Sequence, residues 1–111
     1  MFTYKEKDSG AEIDLVILNK LYGDCILVEI KRSDSLDKRY FRWLTDENVL
    51  NNIKYNFNVS IILKKIILYR GKTKSLDKLG IECINIEEFL LNLDKWKVND
   101  VFSKNYYFDK N

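Results

Sequence analysis

Two apolar runs joined by a short polar stretch are the feature that most restricts how this chain can fold. The runs cover residues 13–18 and 25–30, and the stretch between them, residues 19–24, contains the Gly23-Asp24 pair. Apolar runs around such a turn signal are typical of a β-hairpin. Inside both runs the apolar residues are continuous rather than alternating, which indicates strands that are covered on both faces. The segment therefore predicts a hairpin within a covered sheet.

Four charged side chains interrupt this hairpin. Glu12 and Asp14 lie two residues apart on the first strand, and Glu29 and Lys31 lie two residues apart on the second. Side chains alternate along a strand, so the members of each pair share one face. Charges beside a core are costly unless they are paired or bound to a metal, which makes these residues the candidate site. The alternative is a structural ion pair at a strand end, since alternating Glu and Lys are common on edge strands.

The composition excludes several kinds of site. The 111 residues, 46% of them hydrophobic, fit one globular domain, and the net charge of +2 is too small to indicate nucleic acid by itself. The chain has no histidine, which removes Ser-His and Cys-His nucleophiles and His-ligated zinc. Cys25 and Cys83 lie in apolar runs and are typical of reduced core thiols in a cytoplasmic protein. We expect neither a signal peptide nor a membrane span, and therefore no membrane partner.

The other elements follow from periodicity and turn residues. Residues 2–7 alternate and precede an Asp-Ser-Gly turn, which predicts an antiparallel three-stranded meander together with strands 12–18 and 25–31. Residues 59–69 form a β-prone run, and a break or bulge is expected within it at Lys64-Lys65. The later predicted elements are helices at 36–44 and 48–56, a strand at 66–69, a basic loop at 70–78, a strand at 81–86 and a helix at 86–93.

This order predicts an α/β (α+β) fold in one domain, residues 1–111, with residues 95–111 as an unassigned tail. A right-handed helical crossover makes strands 25–31 and 66–69 parallel. The predicted architecture is a mixed β-sheet, an antiparallel meander plus a parallel crossover strand, flanked by helices. One sheet face, near Phe2 and Tyr4, lacks a covering helix in this prediction, so we expect the tail or another subunit to cover it.

Four ordered phrases of the chain resemble a nuclease-like family. They are GAEIDLVI at residues 10–17, VEIK at 28–31, LYRG at 68–71 and INIEEFL at 84–90. The first two resemble the D…ExK motif of the PD-(D/E)XK nuclease-like superfamily. The whole set, over roughly residues 2–93, is similar to the C-terminal domain of unknown function of many prokaryotic AAA-type ATPases. The resemblance implies a restriction-endonuclease-like fold and a C-terminal piece of a larger ATPase.

The resemblance also implies a role for each matching residue. Asp14 and Glu29 match the two metal-binding acids, Lys31 matches the motif lysine, and the Ile30 carbonyl would be a backbone ligand of Mg²⁺ or Mn²⁺. The implied activity is metal-dependent hydrolysis of DNA phosphodiester bonds, in which Lys31 orients the attacking water or stabilises charge on the phosphoryl oxygens. Glu12 is an additional candidate ligand, although it does not match an invariant motif position.

Basic residues are candidate contacts to DNA. A loop rich in positive charge contains Arg70, Lys72, Lys74 and Lys78, and we expect nucleic-acid contact there. A second basic set is interspersed with acids and fits a solvated helix face as well as a phosphate contact; it consists of Lys31, Arg32, Lys38, Arg39 and Arg42.

Three functions stay open at this stage. Active members of the superfamily usually carry a helix before the meander, and the eleven residues that precede Glu12 leave no room for it here. The chain is therefore a metal-dependent nuclease, or a non-catalytic accessory module of an ATPase, or a structural or toxin–immunity type of binding protein without a site. The candidate partners are DNA, an ATPase domain in the same chain or assembly, and a second copy of the chain.

Overall fold

The computed structural model describes residues 1–92, and the unassigned tail at 95–111 lies outside the described residues. Within that range the fold is α+β, with one mixed sheet of six strands and two α-helices. The strands are β1 (Phe2–Lys5), β2 (Glu12–Asn19), β3 (Asp24–Ile30), β4 (Ile61–Tyr69), β5 (Lys74–Leu76) and β6 (Ile81–Asn85). The helices are α1 (Glu47–Phe57) and α2 (Ile86–Leu91), and a 3₁₀ turn covers Lys38–Phe41.

The strand order across the sheet is β1-β2-β3-β4-β6-β5. β1, β2 and β3 pair antiparallel, which confirms the predicted meander. β3 and β4 are parallel, which confirms the predicted crossover strand, and α1 lies in the connection between them. β4 and β6 are also parallel, and β5 runs antiparallel to β6 at the edge of the sheet.

The central strands are buried on both faces, as their continuous apolar runs predict. On one face α1 packs over the sheet, and Ile53 joins a cluster with Ile13, Leu27 and Ile67. On the other face a second cluster is covered in part by α2; it consists of Ile26, Val28, Ile66, Leu68 and Ile84, with Ile86 and Phe89 packed against it. The candidate site lies where this doubly covered centre ends.

The helix predicted over residues 36–44 is wrong, because the structure has only the 3₁₀ turn there. Ser33 and Ser35 bond to each other and to the local backbone, and the Asp37 carboxylate accepts from the Arg39 N–H at 2.8 Å. Such bonds offer the backbone an alternative to a helix. The apolar residues of this segment still reach the cluster under α1. Leu44 is fully buried in that cluster, and Tyr40 packs against the cluster.

Two further predictions about the strands are corrected. β4 begins at Ile61, earlier than predicted, and its register with β3 shifts so that Leu63 is the extra residue, immediately before the predicted bulge at Lys64-Lys65. The basic loop at 70–78 is not wholly a loop, since β5 lies within it.

The expectation that the face near Phe2 and Tyr4 lacks a helix is also wrong. Tyr4 is buried, and the ring centroids of Phe2 and Tyr4 lie 5.5 and 6.2 Å from that of Phe57 in α1. α1 therefore covers the sheet as far as its β1 edge.

Candidate functional site

The candidate site forms where β2 and β3 separate. Their regular pairing ends at Leu15 and Val28, so Asp14 and Glu29 are the next residues in the same register. At this point β2 is irregular, because Phe2 of β1 faces Val16 whereas Tyr4 faces Ile13, which leaves one extra residue on β2. Such β-bulges redirect side chains and are frequent beside functional sites.

Asp14 and Glu29 continue the ladder with their side chains. The Asp14 N–H donates to Glu29 Oε1 at 3.0 Å, and the Ile30 N–H donates to Asp14 Oδ2 at 2.7 Å. Each carboxylate thus bonds to the backbone of the opposite strand with one oxygen. The structure therefore brings the two predicted acids together.

Burial of a negative charge dominates the electrostatics of this acidic pair, Asp14 and Glu29. Glu29 is only 4% exposed, and burial raises the pKa of its carboxyl to about 7. The Asp14 N–H and the Lys31 charge oppose this rise, whereas the Asp14 carboxylate adds to it by repulsion and by accepting a hydrogen bond from the protonated form. Burial, rather than repulsion between the two carboxylates, is thus the main cause of the raised pKa of Glu29.

Lys31 lies at the end of β3, two residues beyond Glu29. Its Nζ lies 5.2 Å from the centroid of the Tyr40 ring, a cation–π contact with the 3₁₀ turn. Its N–H donates to the Leu68 carbonyl at 2.9 Å, so the ladder with β4 extends one residue past β3. Within residues 1–92 the Lys31 ammonium makes no ion pair, so it is near the acidic pair without neutralising it.

The acidic pair fits a hard divalent cation. Mg²⁺ in proteins commonly takes one or two carboxylates, and waters and substrate phosphate complete its coordination. Asp14, Glu29 and the Ile30 carbonyl are oxygen donors of that kind. Among residues 1–92 there is no cluster of three or more His, Cys, Asp or Glu residues that could hold a metal, so such a site would depend on the pair.

Glu12, the additional candidate ligand, is placed with the edge strand instead. Its register partner is Lys5 of β1, and the Glu12 Oε1 lies 3.8 Å from the Lys5 Nζ. The Glu12 side chain is 58% exposed, so this contact contributes little to stability.

A basic groove of about 360 Å³ opens at the end of β3 on the α2 side of the sheet, whereas Glu29 shares the α1 side with Leu27. It is lined by Ile30, Lys31, Arg32, Arg70 and Ile86. Of the predicted nucleic-acid contacts, Arg70 lines this groove, whereas Lys72 and Lys74 do not. The Lys72 carbonyl accepts from the Tyr69 hydroxyl, and Lys74 lies on the edge strand β5.

The second basic set divides in the structure. Arg39 pairs with Asp37 at 2.8 Å, and the Arg42 guanidinium lies 4.2 Å from the centroid of the Trp43 ring. Arg32 instead lines the groove with Lys31. The adjacent Lys31-Arg32 pair was the signal for this groove, whereas no local pattern could have placed the Tyr40 ring under Lys31.

Known proteins offer no match against which to compare this geometry. No protein-family model, no curated protein and no solved structure matches the chain. None of the helices within residues 1–92 is long and apolar enough to span a bilayer. The arrangement of the site's own residues must therefore support any functional assignment.

Proposed function

We propose that this chain is a nuclease-like domain with a restriction-endonuclease-like fold, which hydrolyses DNA phosphodiester bonds with Mg²⁺ or Mn²⁺ at Asp14, Glu29 and Lys31. The observation that supports it best is the reciprocal bonding at the bulge, which holds two carboxylates from neighbouring strands at one point. A structural ion pair would instead place Lys31 against one of these acids, whereas its ammonium lies over the Tyr40 ring.

Each residue of the site has a task in this proposal. The Asp14 and Glu29 carboxylates, with the Ile30 carbonyl, would hold the cation. When bound, the cation supplies polarisation of the scissile phosphate and a water of lowered pKa. The Lys31 ammonium, on its flexible stem, would move from the Tyr40 ring to donate to the phosphoryl oxygens as their negative charge grows.

A second candidate function is a non-catalytic module that binds nucleic acid or an ATPase domain. The closed state of the site favours it, because Glu29 is almost fully buried and the Lys31 ammonium rests on an aromatic ring. In that function the acidic pair would fix the end of the meander, and the basic groove would be the working surface.

Cleavage of plasmid DNA in millimolar Mg²⁺ or Mn²⁺ tests the catalytic proposal. Asp14→Asn, Glu29→Gln and Lys31→Ala should each abolish cutting, because all three residues act on one transition state. Glu12→Gln is the matched control, since it makes the same kind of change two residues from Asp14 and should cut like the wild type. Undiminished cutting by Glu29→Gln would reveal a contaminating nuclease and overturn the proposal.

Melting curves with Mn²⁺ separate cation binding from catalysis. A cation that binds only the folded state raises the melting temperature by mass action. The wild type and Glu12→Gln should show this rise, and Asp14→Asn should not. A rise in melting temperature without any cutting would favour the non-catalytic module. If Mn²⁺ causes no rise and the protein does not cut DNA, a metal-dependent enzyme is ruled out.

A further inference from the structure

The basic groove has walls that the backbone holds in place. On one side the Lys31 N–H donates to the Leu68 carbonyl, and on the other the Arg70 N–H donates to the Ser33 carbonyl, both at 2.9 Å. Arg32 lies between these two bonds, on a segment that leaves the regular ladder. The Cα positions of Arg32 and Arg70 are thus fixed relative to each other before any ligand binds.

The loop that carries Arg70 is also fixed from β6. The Asn85 side-chain amide donates to the Arg70 carbonyl at 3.2 Å and to the Gly71 carbonyl at 2.8 Å. A Cβ built on Gly71 would lie 2.5 Å from the Asp34 carbonyl oxygen, so the loop packs directly on the segment that follows β3. Fixed groups of this kind lose less conformational freedom when a ligand binds.

The groove concentrates positive charge without an acidic counterpart. Lys31, Arg32 and Arg70 line it, and its other lining residues, Ile30 and Ile86, are apolar. The ion pairs formed within residues 1–92 use other cations, namely Lys5, Arg39 and Lys64. Like charges gathered in a concave surface raise the local potential and favour an anion. Guanidinium groups match the oxygens of a phosphate with two parallel hydrogen bonds.

We infer that Arg32 and Arg70 bind a backbone phosphate of DNA at the end of the sheet where the parallel strands β3 and β4 stop. This inference rests on the proposed function and deepens it, because Lys31 lines the groove and directly follows Ile30, the last residue of the strand that carries Glu29. Side chains alternate along the extended chain, so Ile30 and Arg32 face the α2 side of the sheet and Glu29 faces the α1 side. DNA bound in the groove therefore crosses the end of β3 to reach the acidic pair. Backbone phosphates carry no base identity, so the contact is independent of DNA sequence.

Fluorescence polarisation with a labelled DNA duplex in EDTA tests this subsite without any cutting. Arg32→Gln and Arg70→Gln should each weaken binding several-fold. Each should also reduce the slope of log K against log salt concentration by about 0.9, the value for one phosphate contact. Lys72→Gln and Lys78→Gln remove the same charge from residues that do not line the groove, and they should keep the wild-type affinity and slope.

The outcomes separate this inference from the proposed function. Equal losses of affinity in Arg70→Gln and Lys72→Gln would overturn the subsite, because net charge alone would then explain the binding. Absence of DNA binding by the wild type would overturn it as well. Binding that follows the expected pattern in a protein that does not cut would leave the subsite in place and remove the catalysis. If the wild type cuts DNA and the Arg32→Gln and Arg70→Gln variants bind and cut like it, the catalysis stays in place and the subsite is overturned. Melting curves of each variant establish that it is folded.

Discussion

At the scale of single residues, Glu29 combines two opposed conditions. Its carboxyl is almost completely buried beside a second carboxylate, and yet it accepts the Asp14 N–H. The bond requires a carboxyl or an amide oxygen at this place, but it does not require a negative charge. The charge therefore costs stability in the absence of a cation, which gives a prediction about pH.

In EDTA, the free energy of unfolding should fall as pH rises through the range between the ordinary pKa of 4.5 and the folded-state pKa of about 7 for Glu29. In that range the folded state binds more protons than the unfolded state, so stability declines with pH, and the full cost is present above pH 7. At about 1.4 kcal/mol per pKa unit the upper bound is about 3 kcal/mol. Glu29→Gln, an amide analogue of the protonated form, should lose this dependence and exceed the wild type at pH 8.

Urea unfolding at pH 5 and pH 8 measures this difference. Glu12→Gln is the control, because the Glu12 side chain is largely exposed, and it should follow the wild type at both values. Parallel pH profiles of the wild type and Glu29→Gln would contradict the burial of a charge at this position.

The sequence predicts the acidic pair but not how it is held. Strand alternation and the symmetry of residues 14 and 29 about the turn are enough to bring Asp14 and Glu29 together. The bulge depends on pairing with β1, which nothing in the local pattern of β2 records. The contact between Lys31 and Tyr40 depends on the path of an irregular loop, so periodicity cannot predict it.

At the scale of elements, Gly71 fixes the connection between β4 and the rest of the site. A Cβ there would lie 2.5 Å from both the Asp34 carbonyl oxygen and a ring carbon of Tyr69. The Tyr69 ring is buried and its hydroxyl bonds to the Lys72 carbonyl, so neither neighbour moves freely. We expect Gly71→Ala to lower the free energy of unfolding by about 1–3 kcal/mol, as overpacking does.

Urea unfolding and DNA binding together check the Gly71→Ala prediction, because a displaced loop should also weaken the contact of Arg70. Gly10→Ala is the control, since nothing lies within 4 Å of a Cβ there and only its positive φ of 77° is unfavourable. That conformational cost is about 1–2 kcal/mol and should leave DNA affinity unchanged. A Gly71→Ala variant with wild-type stability would show that the loop is not closely packed.

Elements with strong apolar patterns are predicted well, and short polar ones are not. β2, β3 and the parallel crossover strand follow from runs of apolar residues, and α1 follows from the helical spacing of Val49, Leu50 and Ile53. β5 contains only Leu76 as an apolar residue, and it is a strand because the edge of β6 offers hydrogen bonds to it. The helix predicted at 36–44 fails because apolar side chains at helical spacing also reach the core from an irregular chain.

At the scale of the whole molecule, stability is unevenly distributed across the sheet. β3, β4 and β6 run parallel at its centre, with an apolar cluster on each face. β1 and β5 are the edges, and β5 has no fully buried residue. The acidic pair lies between the buried central strands and the β1 edge, at the point where β2 and β3 stop pairing through their backbones.

Hydrogen exchange should reproduce this distribution residue by residue. Amides of β3, β4 and β6 should exchange slowest, through global unfolding, whereas amides of β1 and β5 should exchange through local opening. The Ile30 N–H is a special case, because it donates to the Asp14 carboxylate. Asp14→Ala should therefore speed exchange at Ile30 by at least about tenfold, since its bond is lost, while Leu27 and Ile67 change only with global stability. Glu12→Ala should leave Ile30 protected, and an Ile30 amide that is equally protected in Asp14→Ala would mean that the carboxylate does not hold the end of β3.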